Sequence, residues 1–469
     1  MKNYPLILYY HEKKLDLINE ILQNSKSKGL THHEAEEKTY NGKNIRLNEK
    51  SLINFGSCSY MGLETDHRLK KAAINAIEKF GISYSSSRAY LSSPLYSELE
   101  CLLESLFDAP VVLFASVSIG HQGVIPIITE QGDTILLDQQ VHTSVQDAAR
   151  KVQCSGVGLQ VVRHNDLDTL EQKIIELSSQ TGKIWYMCDG VYSMYGDVAP
   201  IKALIALAER YPAFHIYVDD AHGMSCFGNN GTGFVMSQTP LHPNMVLCTG
   251  MAKAFGAIGG LFVFHNKALA EKVRNCAGPL IFSGQQSSAV LGASIASAKI
   301  HLSEEINIRQ NALAAHISYC HQLLKQHGLP NISDARVPVF FIAVGTISMA
   351  SNLVKRMLNE GFYINGTTFP AVPEGCSGIR FTITLHHTVE DIKNMVEALA
   401  KHFFLALHEE GRNLQDIQRA FRRIATFEIS NEEAKMRTER IRETLHKIKV
   451  TRHSEITLVE HADDTLSVI

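Results

Sequence analysis

Phe214-His215-Ile216-Tyr217-Val218-Asp219-Asp220-Ala221-His222-Gly223 and Met245-Val246-Leu247-Cys248-Thr249-Gly250-Met251-Ala252-Lys253-Ala254-Phe255-Gly256 both run from an apolar stretch into small and polar residues. Each apolar stretch has the length of a buried strand. The same pattern recurs upstream in Val111-Val112-Leu113-Phe114-Ala115, Thr134-Ile135-Leu136-Leu137 and Lys183-Ile184-Trp185-Tyr186-Met187-Cys188. Between these stretches, residues 166–178 and 200–210 carry apolar side chains at helical spacing, with Pro200 placed for a first helical turn. Strand and helix in alternation predict an α/β fold, a mostly parallel sheet covered by helices. In such sheets ligands bind beyond the carboxyl ends of the strands, where Asp219, His222 and Lys253 fall.

Those three residues form a chemical kit. A lysine amine can hold an aldehyde cofactor as a Schiff base, a carboxylate can keep a pyridinium nitrogen protonated, and an imidazole can hydrogen-bond a phenolic oxygen. Together they point to pyridoxal 5'-phosphate. An unpaired buried carboxylate at a strand end is costly, and a pyridinium proton is the partner that makes Asp219 tolerable. The adjacent Asp220 reads as a solvent-exposed or helix-capping residue.

After about residue 290 the pattern changes to helix, then strands near residues 337–344 and 379–384, then helix again. The expected division is an N-terminal segment (1–50), a large cofactor-binding domain (51–290), a smaller C-terminal α+β domain (291–408) and a helical extension and tail (409–469). The chain of 469 residues is 45% hydrophobic and 20% charged, as globular proteins are. A formal charge of −3 offers no basic field for nucleic acid. Nine scattered cysteines without a CxxC pair read as reduced thiols in a cytoplasmic protein. No apolar run reaches membrane-spanning length. The adjacent pairs His32-His33 and His386-His387 lack the wider spacing that places metal ligands on one helix face, so no metal site is expected.

Five further stretches carry a resemblance. Asn54-Phe55-Gly56-Ser57-Cys58-Ser59-Tyr60-Met61-Gly62-Leu63, Ser87-Arg88, Val141-His142-Thr143-Ser144, Asp189-Gly190-Val191-Tyr192-Ser193-Met194 and Pro370-Ala371-Val372-Pro373-Glu374-Gly375, the last running into Ile379-Arg380-Phe381-Thr382, occur in that order. Over roughly residues 50 to 400 the chain resembles the α-oxoamine synthase family of fold-type-I pyridoxal-phosphate enzymes, and ordered agreement of several motifs is far more specific than one. The resemblance implies a homodimer with shared active sites that condenses an amino acid with an acyl thioester of coenzyme A or an acyl carrier protein. Carbon dioxide is expelled and an α-aminoketone results.

The resemblance also implies residue roles. Lys253 anchors the cofactor, Asp219 pairs with its ring nitrogen and His222 with its phenolic oxygen. His142 stacks on the ring, Ser193 approaches its edge, and Arg380 holds the substrate carboxylate. Phosphate is expected at the strand-to-helix turn containing Val117 and Ser118, helped by Thr249 and by Ser283 of the neighbouring subunit. The chain departs from the family at several of these points. Val117-Ser118 replaces a Gly-aromatic pair, Gly250 a hydroxyl residue, Cys58 an asparagine near the amino acid, Ala371 a threonine and Tyr195 an acidic residue. A fold-type-I aminotransferase or lyase, or a non-catalytic cofactor-binding subunit, are the competing expectations.

Beyond the usual family end, Leu414, Ile417, Phe421 and Ile424 mark one amphipathic helix, and Ser430 with Glu433 forms a capping box before a second. Their arginines and lysines, Arg419, Arg422 and Arg423 among them, read as a solvated face or as a surface for an acidic partner or an acyl carrier protein.

Overall fold

In the computed structural model, residues 4–422 are described apart from residue 181, with side chains from residue 15 onward. A short antiparallel hairpin, β1 (Asn44–Leu47) and β2 (Lys50–Asn54), precedes the main sheet. That sheet comprises β3 (Val111–Phe114), β4 (Thr134–Asp138), β5 (Gly158–Val162), β6 (Ile184–Asp189), β7 (Phe214–Asp219), β8 (Met245–Gly250) and β9 (Gly260–Phe264). Its order is β3-β9-β8-β7-β6-β4-β5. Strands β5, β4, β6, β7 and β8 pair in parallel, whereas β9 runs antiparallel to both β8 and β3.

The unbroken apolar runs follow from burial of both faces. Successive side chains of a strand point to opposite sides, so Ile216 and Val218 enter one core layer while Tyr217 enters the other. All five strands expected from the sequence are present. β5 and β9 were not expected. β5 lies at the sheet edge with mixed exposure, which blurs its apolar signal, and β9 follows a glycine-rich turn. Pro200 stands at the N-cap position just before the Ile201–Arg210 helix, one residue short of its first turn.

The smaller sheet has order β10-β13-β12, from β10 (Val339–Gly345), β12 (Asn365–Thr367) and β13 (Ser377–Thr382). β11 (Phe362–Tyr363) instead pairs in parallel with β2. The expected boundary at residue 50 therefore cuts through the β1-β2 hairpin, whose partner strand lies in the C-terminal part of the chain.

The expected boundary at residue 408 also meets a different arrangement. Helix Leu414–Phe421 buries Leu414, Ile417 and Phe421 in the same core as β10, and the Phe421 ring lies 6.2 Å from that of Phe341. A reciprocal capping box between Asn413 and Asp416 fixes its start. The segment read as an extension thus opens with a helix of the small domain. Ile424, Arg423 and the second helix expected near Ser430 and Glu433 lie outside the described residues.

Candidate active site

The carboxyl ends of β7 and β8 deliver Asp219 and, three residues past β8, Lys253. Helix Val117–Ile128 starts beside them because two glycines allow it. A Cβ at Gly260 would meet the Val117 amide nitrogen at 2.6 Å, and one at Gly250 would meet Val117 Cγ2 and Ala221 Cβ at 3.2 Å. Gly250, a departure in the sequence, is therefore a point of close approach rather than a simple loss of a hydroxyl.

At the helix start, the Ser116 side chain accepts from the Ile119 amide. The amides of Val117 and Ser118 have no acceptor among the described residues. Such unpaired amides, reinforced by the helix dipole, suit an anion.

One turn along the same helix, fully buried His121 reaches back to the strand ends. Its Nδ1 lies 2.6 Å from the Tyr217 hydroxyl and its Nε2 3.1 Å from Asp219 Oδ2. With the tyrosine donating to Nδ1, Nε2 carries a hydrogen and donates to the carboxylate. The other oxygen, Asp219 Oδ1, accepts from the Ala221 amide at 3.0 Å. Burial opposes ionisation of Asp219, but the His121 hydrogen bond and the Lys253 charge outweigh it and hold the carboxyl below its ordinary range. Neighbouring Asp189 is pushed the other way, well above the carboxylate range, by burial and by the Asp219 charge. The environments thus assign the negative charge of the pair to Asp219.

Asp189 Oδ1 also accepts from the His142 backbone amide at 3.1 Å, placing His142 at the N-cap of helix Thr143–Val152. The His142 ring is reachable by solvent, yet the protein walls around it desolvate it and lower its proton affinity. Its Nδ1 accepts from the Ser144 amide, which leaves Nε2 as the hydrogen-bearing nitrogen. On the other side, buried His222 receives the Tyr60 hydroxyl at Nδ1, 2.7 Å away, and burial drives its pKa well below the usual value. A neutral ring with Nδ1 occupied offers an N–H donor at Nε2.

Arg380, on β13, enters from the small domain. Its Nε donates to the Ser193 carbonyl at 2.6 Å and its Nη2 lies 3.7 Å from Cys58 Sγ. Burial raises the Cys58 pKa, but Arg380, Tyr60 and Lys253 more than offset this and leave the thiol below its ordinary value. Lys253 Nζ has no hydrogen bond or ion pair to any described residue, although its charge acts on Asp219, Asp189, His142 and His222.

The remaining sequence candidates sit at different depths. Thr249 is fully buried and its hydroxyl donates to the Asp220 carbonyl at 3.2 Å, so it braces the loop that carries His222. Ser283 is exposed, its hydroxyl turned to the Pro279 carbonyl. Asp220 is not solvent-exposed, as one of its two expected readings had it. It is completely buried and accepts from the Val235 amide at 3.0 Å, capping helix Phe234–Gln238. Burial, then the Asp219 charge, pushes its pKa up to about 8.

His121, Tyr60 and Asp189 were not singled out from the sequence. For His121 a signal existed: it follows Val117 by four residues and so shares the helix face that starts at the unpaired amides. His121, Asp219 and Cys248 are close enough together to contact one ion. Both His121 nitrogens are already hydrogen-bonded and burial holds the Cys248 thiol well above its ordinary pKa, so this trio is a hydrogen-bonded support rather than a ligand set. The paired histidines are structural as well: His386 Nε2 meets Glu64, and His387 stacks on Phe55 with ring centroids 4.0 Å apart.

An unpartnered lysine amine, an ionised carboxylate braced by a histidine, a neutral N–H donor and unpaired amides at a helix start fit pyridoxal phosphate group by group. Next to this cluster opens a cavity of about 1160 Å³ that shares His142 and Ser193 with it. The turn from Phe369 to Glu374 and helix residues Arg419 and Ala420 form its far walls.

Residues 50–399 match the family model described as aminotransferase class I and II. The 8-amino-7-oxononanoate synthase of Alkaliphilus metalliredigens is 32% identical over 391 residues, covering 83% of this chain and 97% of that protein. The protein of the same name from Thermoanaerobacter pseudethanolicus is 30% identical over 390 residues, covering 82% and 96%. Among solved structures, a serine palmitoyltransferase from S. paucimobilis with bound PLP superposes with a TM-score of 0.77 at 24% identity, covering 85% of this chain and 98% of that one. The likeness to that structure is one of fold.

Proposed function

The chain belongs to the aminotransferase class I and II family and, within it, to the α-oxoamine synthases, pyridoxal-phosphate-dependent acyltransferases that condense an amino acid with an acyl thioester and release carbon dioxide; from that premise we propose how its residues divide the work. The cofactor supplies an electron-withdrawing ring that stabilises negative charge at the substrate α-carbon. Lys253 is its covalent anchor. Asp219, kept ionised by His121, holds the ring-nitrogen proton, and His222 donates from Nε2 to the phenolic oxygen. The Val117 and Ser118 amides hold the phosphate with the Ser118 hydroxyl.

Arg380 binds the amino-acid carboxylate through donors not used by Ser193, with Cys58 at its side and the Ser193 hydroxyl at the cofactor edge. The Lys253 amine, when free, would take the substrate α-proton. His142 covers the ring and hands a proton from Nε2 to the oxygen that develops when the thioester carbonyl is attacked. Collapse of that adduct breaks the carbon–sulfur bond and releases the thiol, and loss of carbon dioxide from the resulting β-keto acid leaves the α-aminoketone.

Exposed apolar side chains support a homodimer. Tyr90 and Phe282 are 89% and 87% exposed, and Ile82, Leu91 and Ile258 are also exposed. Hydrogen bonds from Ser87 to Ile281, Gln285 to Leu91 and Gln286 to Ile258 tie their segments into one surface. A patch of that kind calls for a partner, and it carries Ser283. Ser283 reaches the phosphate across the dimer.

The observation that carries the reading is the unpartnered Lys253 amine facing a buried carboxylate that is held ionised. The cofactor-loaded protein, reduced with borohydride and digested, should yield a pyridoxyl modification on Lys253. Incubation with panels of amino acids and acyl thioesters should release carbon dioxide and an α-aminoketone detectable by mass spectrometry. Modification of another lysine, or pyridoxamine phosphate formed without carbon dioxide, overturns the assignment.

A further inference from the structure

The cavity beside His142 has a cationic wall built from two distant parts of the chain. Arg163 follows directly on β5, while Arg419 lies on helix Leu414–Phe421 and Arg422 at its C-terminal cap. All three are exposed. The guanidinium groups of Arg163 and Arg422 have no hydrogen bond or ion pair to a described residue, and that of Arg419 has a 3.8 Å ion pair with Asp416. His164, which also lines this cavity, is clamped between Asp138 and Asp197 and adds no free donor.

Two acidic residues also line the cavity. Asp166 caps helix Leu167–Leu177 through the Thr169 amide and hydroxyl and also feels the Arg163 charge, and Glu374 is the one other carboxylate on the cavity among the described residues. The rest of the wall includes Val141, Met194, Phe369 and Val372. One hollow thus joins a proton donor, an apolar wall and a set of guanidinium groups of which, among the described residues, only that of Arg419 is paired, loosely, with Asp416.

The arginines are not on a loose tail. Leu414, Ile417 and Phe421 anchor their helix in the small-domain core, and Cys376 Sγ contacts the Ala420 carbonyl at 3.6 Å. Two of the three cations are therefore held at the cavity by a helix lying past the end of the matched family region at residue 399. At roughly 1160 Å³ the hollow exceeds the usual span of small-ligand pockets, about 300–1,000 Å³. It suits a long ligand with a reactive end and an anionic end.

We propose that Arg419 and Arg422, together with Arg163, bind the phosphate groups of a phosphopantetheine thioester, so that the C-terminal helix supplies the donor-recognition site of the enzyme. The inference rests on the acyl-transfer reading above and names the part of the donor that the helix contacts. Guanidinium forks match phosphate oxygens bidentately and stay charged at every working pH. The phosphates can come from coenzyme A or from the prosthetic arm of a carrier protein, and the test separates the two.

The full-length, cofactor-loaded protein and its R419A/R422A variant would be compared with three donors carrying one acyl group: acyl-CoA, acyl carrier protein and acyl-pantetheine, which lacks phosphate. A rise in KM of about tenfold for one phosphorylated donor, with kcat nearly constant and the acyl-pantetheine KM unmoved, supports the proposal and identifies the source. Equal KM values for both proteins with every donor overturn it. So does an equal rise for acyl-pantetheine, because the arginines would then act on the fold.

Titration of free coenzyme A by calorimetry gives a reading that needs no turnover. Weaker binding by the variant supports the arginine wall even if no donor yields carbon dioxide, which would sink the acyl-transfer reading alone. Turnover of acyl-CoA with identical coenzyme A affinity in both proteins keeps that reading and sinks this one.

Discussion

His121 Nε2 stands 3.1 Å from Asp219 Oδ2, on a helix whose first turn holds the two unpaired amides. One short element thereby joins the phosphate end of the proposed cofactor site to the carboxylate at its ring nitrogen. Tyr217, hydrogen-bonded to the far side of the imidazole, fixes the tautomer that donates to Asp219. His121 is a positioning residue, acting on the ring through Asp219.

Replacing His121 with phenylalanine removes that donor while filling the space. Asp219 then keeps the cost of burial without its largest compensation, and its folded pKa rises. A carboxyl with a depressed folded pKa is ionised down to low pH, and the function that needs its charge fades as pH falls through that value. The acid limb of α-proton exchange should therefore move to higher pH in His121→Phe. At neutral pH the exchange rate, followed by loss of substrate α-deuterium, should fall by about one to two orders of magnitude. An unshifted acid limb would reduce His121 to core packing.

Asp219 and Asp220 are neighbours with opposite duties, and substitution should separate them. Asp219→Ala should slow α-proton exchange by about three orders of magnitude, since the charge opposite the ring nitrogen is lost. Asp220→Asn keeps an oxygen for the Val235 amide and should leave exchange nearly intact. Its effect should appear in stability against pH. A carboxyl whose pKa rises on folding, here from 3.8 to about 8, favours the folded state most below its unfolded pKa and loses that contribution as pH climbs toward 8. Urea midpoints of the wild type should decline between pH 4 and 8, and those of Asp220→Asn should decline less.

The parallel sheet was legible because a strand buried on both faces leaves a continuous apolar run, and the reactive residues follow those runs directly. β5 escaped because an edge strand mixes exposed and buried positions, and β9 because nothing in its sequence distinguishes an antiparallel strand. At the site, residues that touch substrate or cofactor sit in ordered motifs, whereas their supports do not. Tyr60 and His222 are 162 positions apart, and His121 and Asp219 98, so only folding pairs them. The Leu414–Phe421 helix was seen as amphipathic, but a sequence cannot say which surface an apolar stripe covers. Here it covers β10.

Tyr90 and Phe282 offer the test of assembly. A Tyr90→Ser/Phe282→Ser protein loses two large exposed aromatic groups of the kind that dominate interface energetics. Sedimentation should show the dimer dissociation constant raised by about 100-fold or more, with monomer stability little changed because neither side chain is buried in the chain itself. The monomeric fraction should also retain cofactor less well if Ser283 acts across the interface. Unaltered sedimentation would assign the patch another occupant.

Two truncations isolate what the C-terminal helix does for the fold. A chain ending at residue 408 lacks Leu414, Ile417 and Phe421 and strips the cover from Phe341 and its neighbours on β10, whereas a chain ending at residue 422 keeps all three. Burial of each such side chain stabilises by roughly 1.5–3 kcal/mol, so the two proteins should differ by about 4.5–9 kcal/mol, an upper figure because unfolded chains already bury some apolar area. That is a large part of the stability of an ordinary domain. Denaturant midpoints for the small domain should separate clearly, while borohydride should still fix the cofactor to Lys253 in whatever fraction of the shorter chain is folded. Equal midpoints would mean that the helix rests on the small domain without holding it together, and the arginines it carries would then lose their rigid mount.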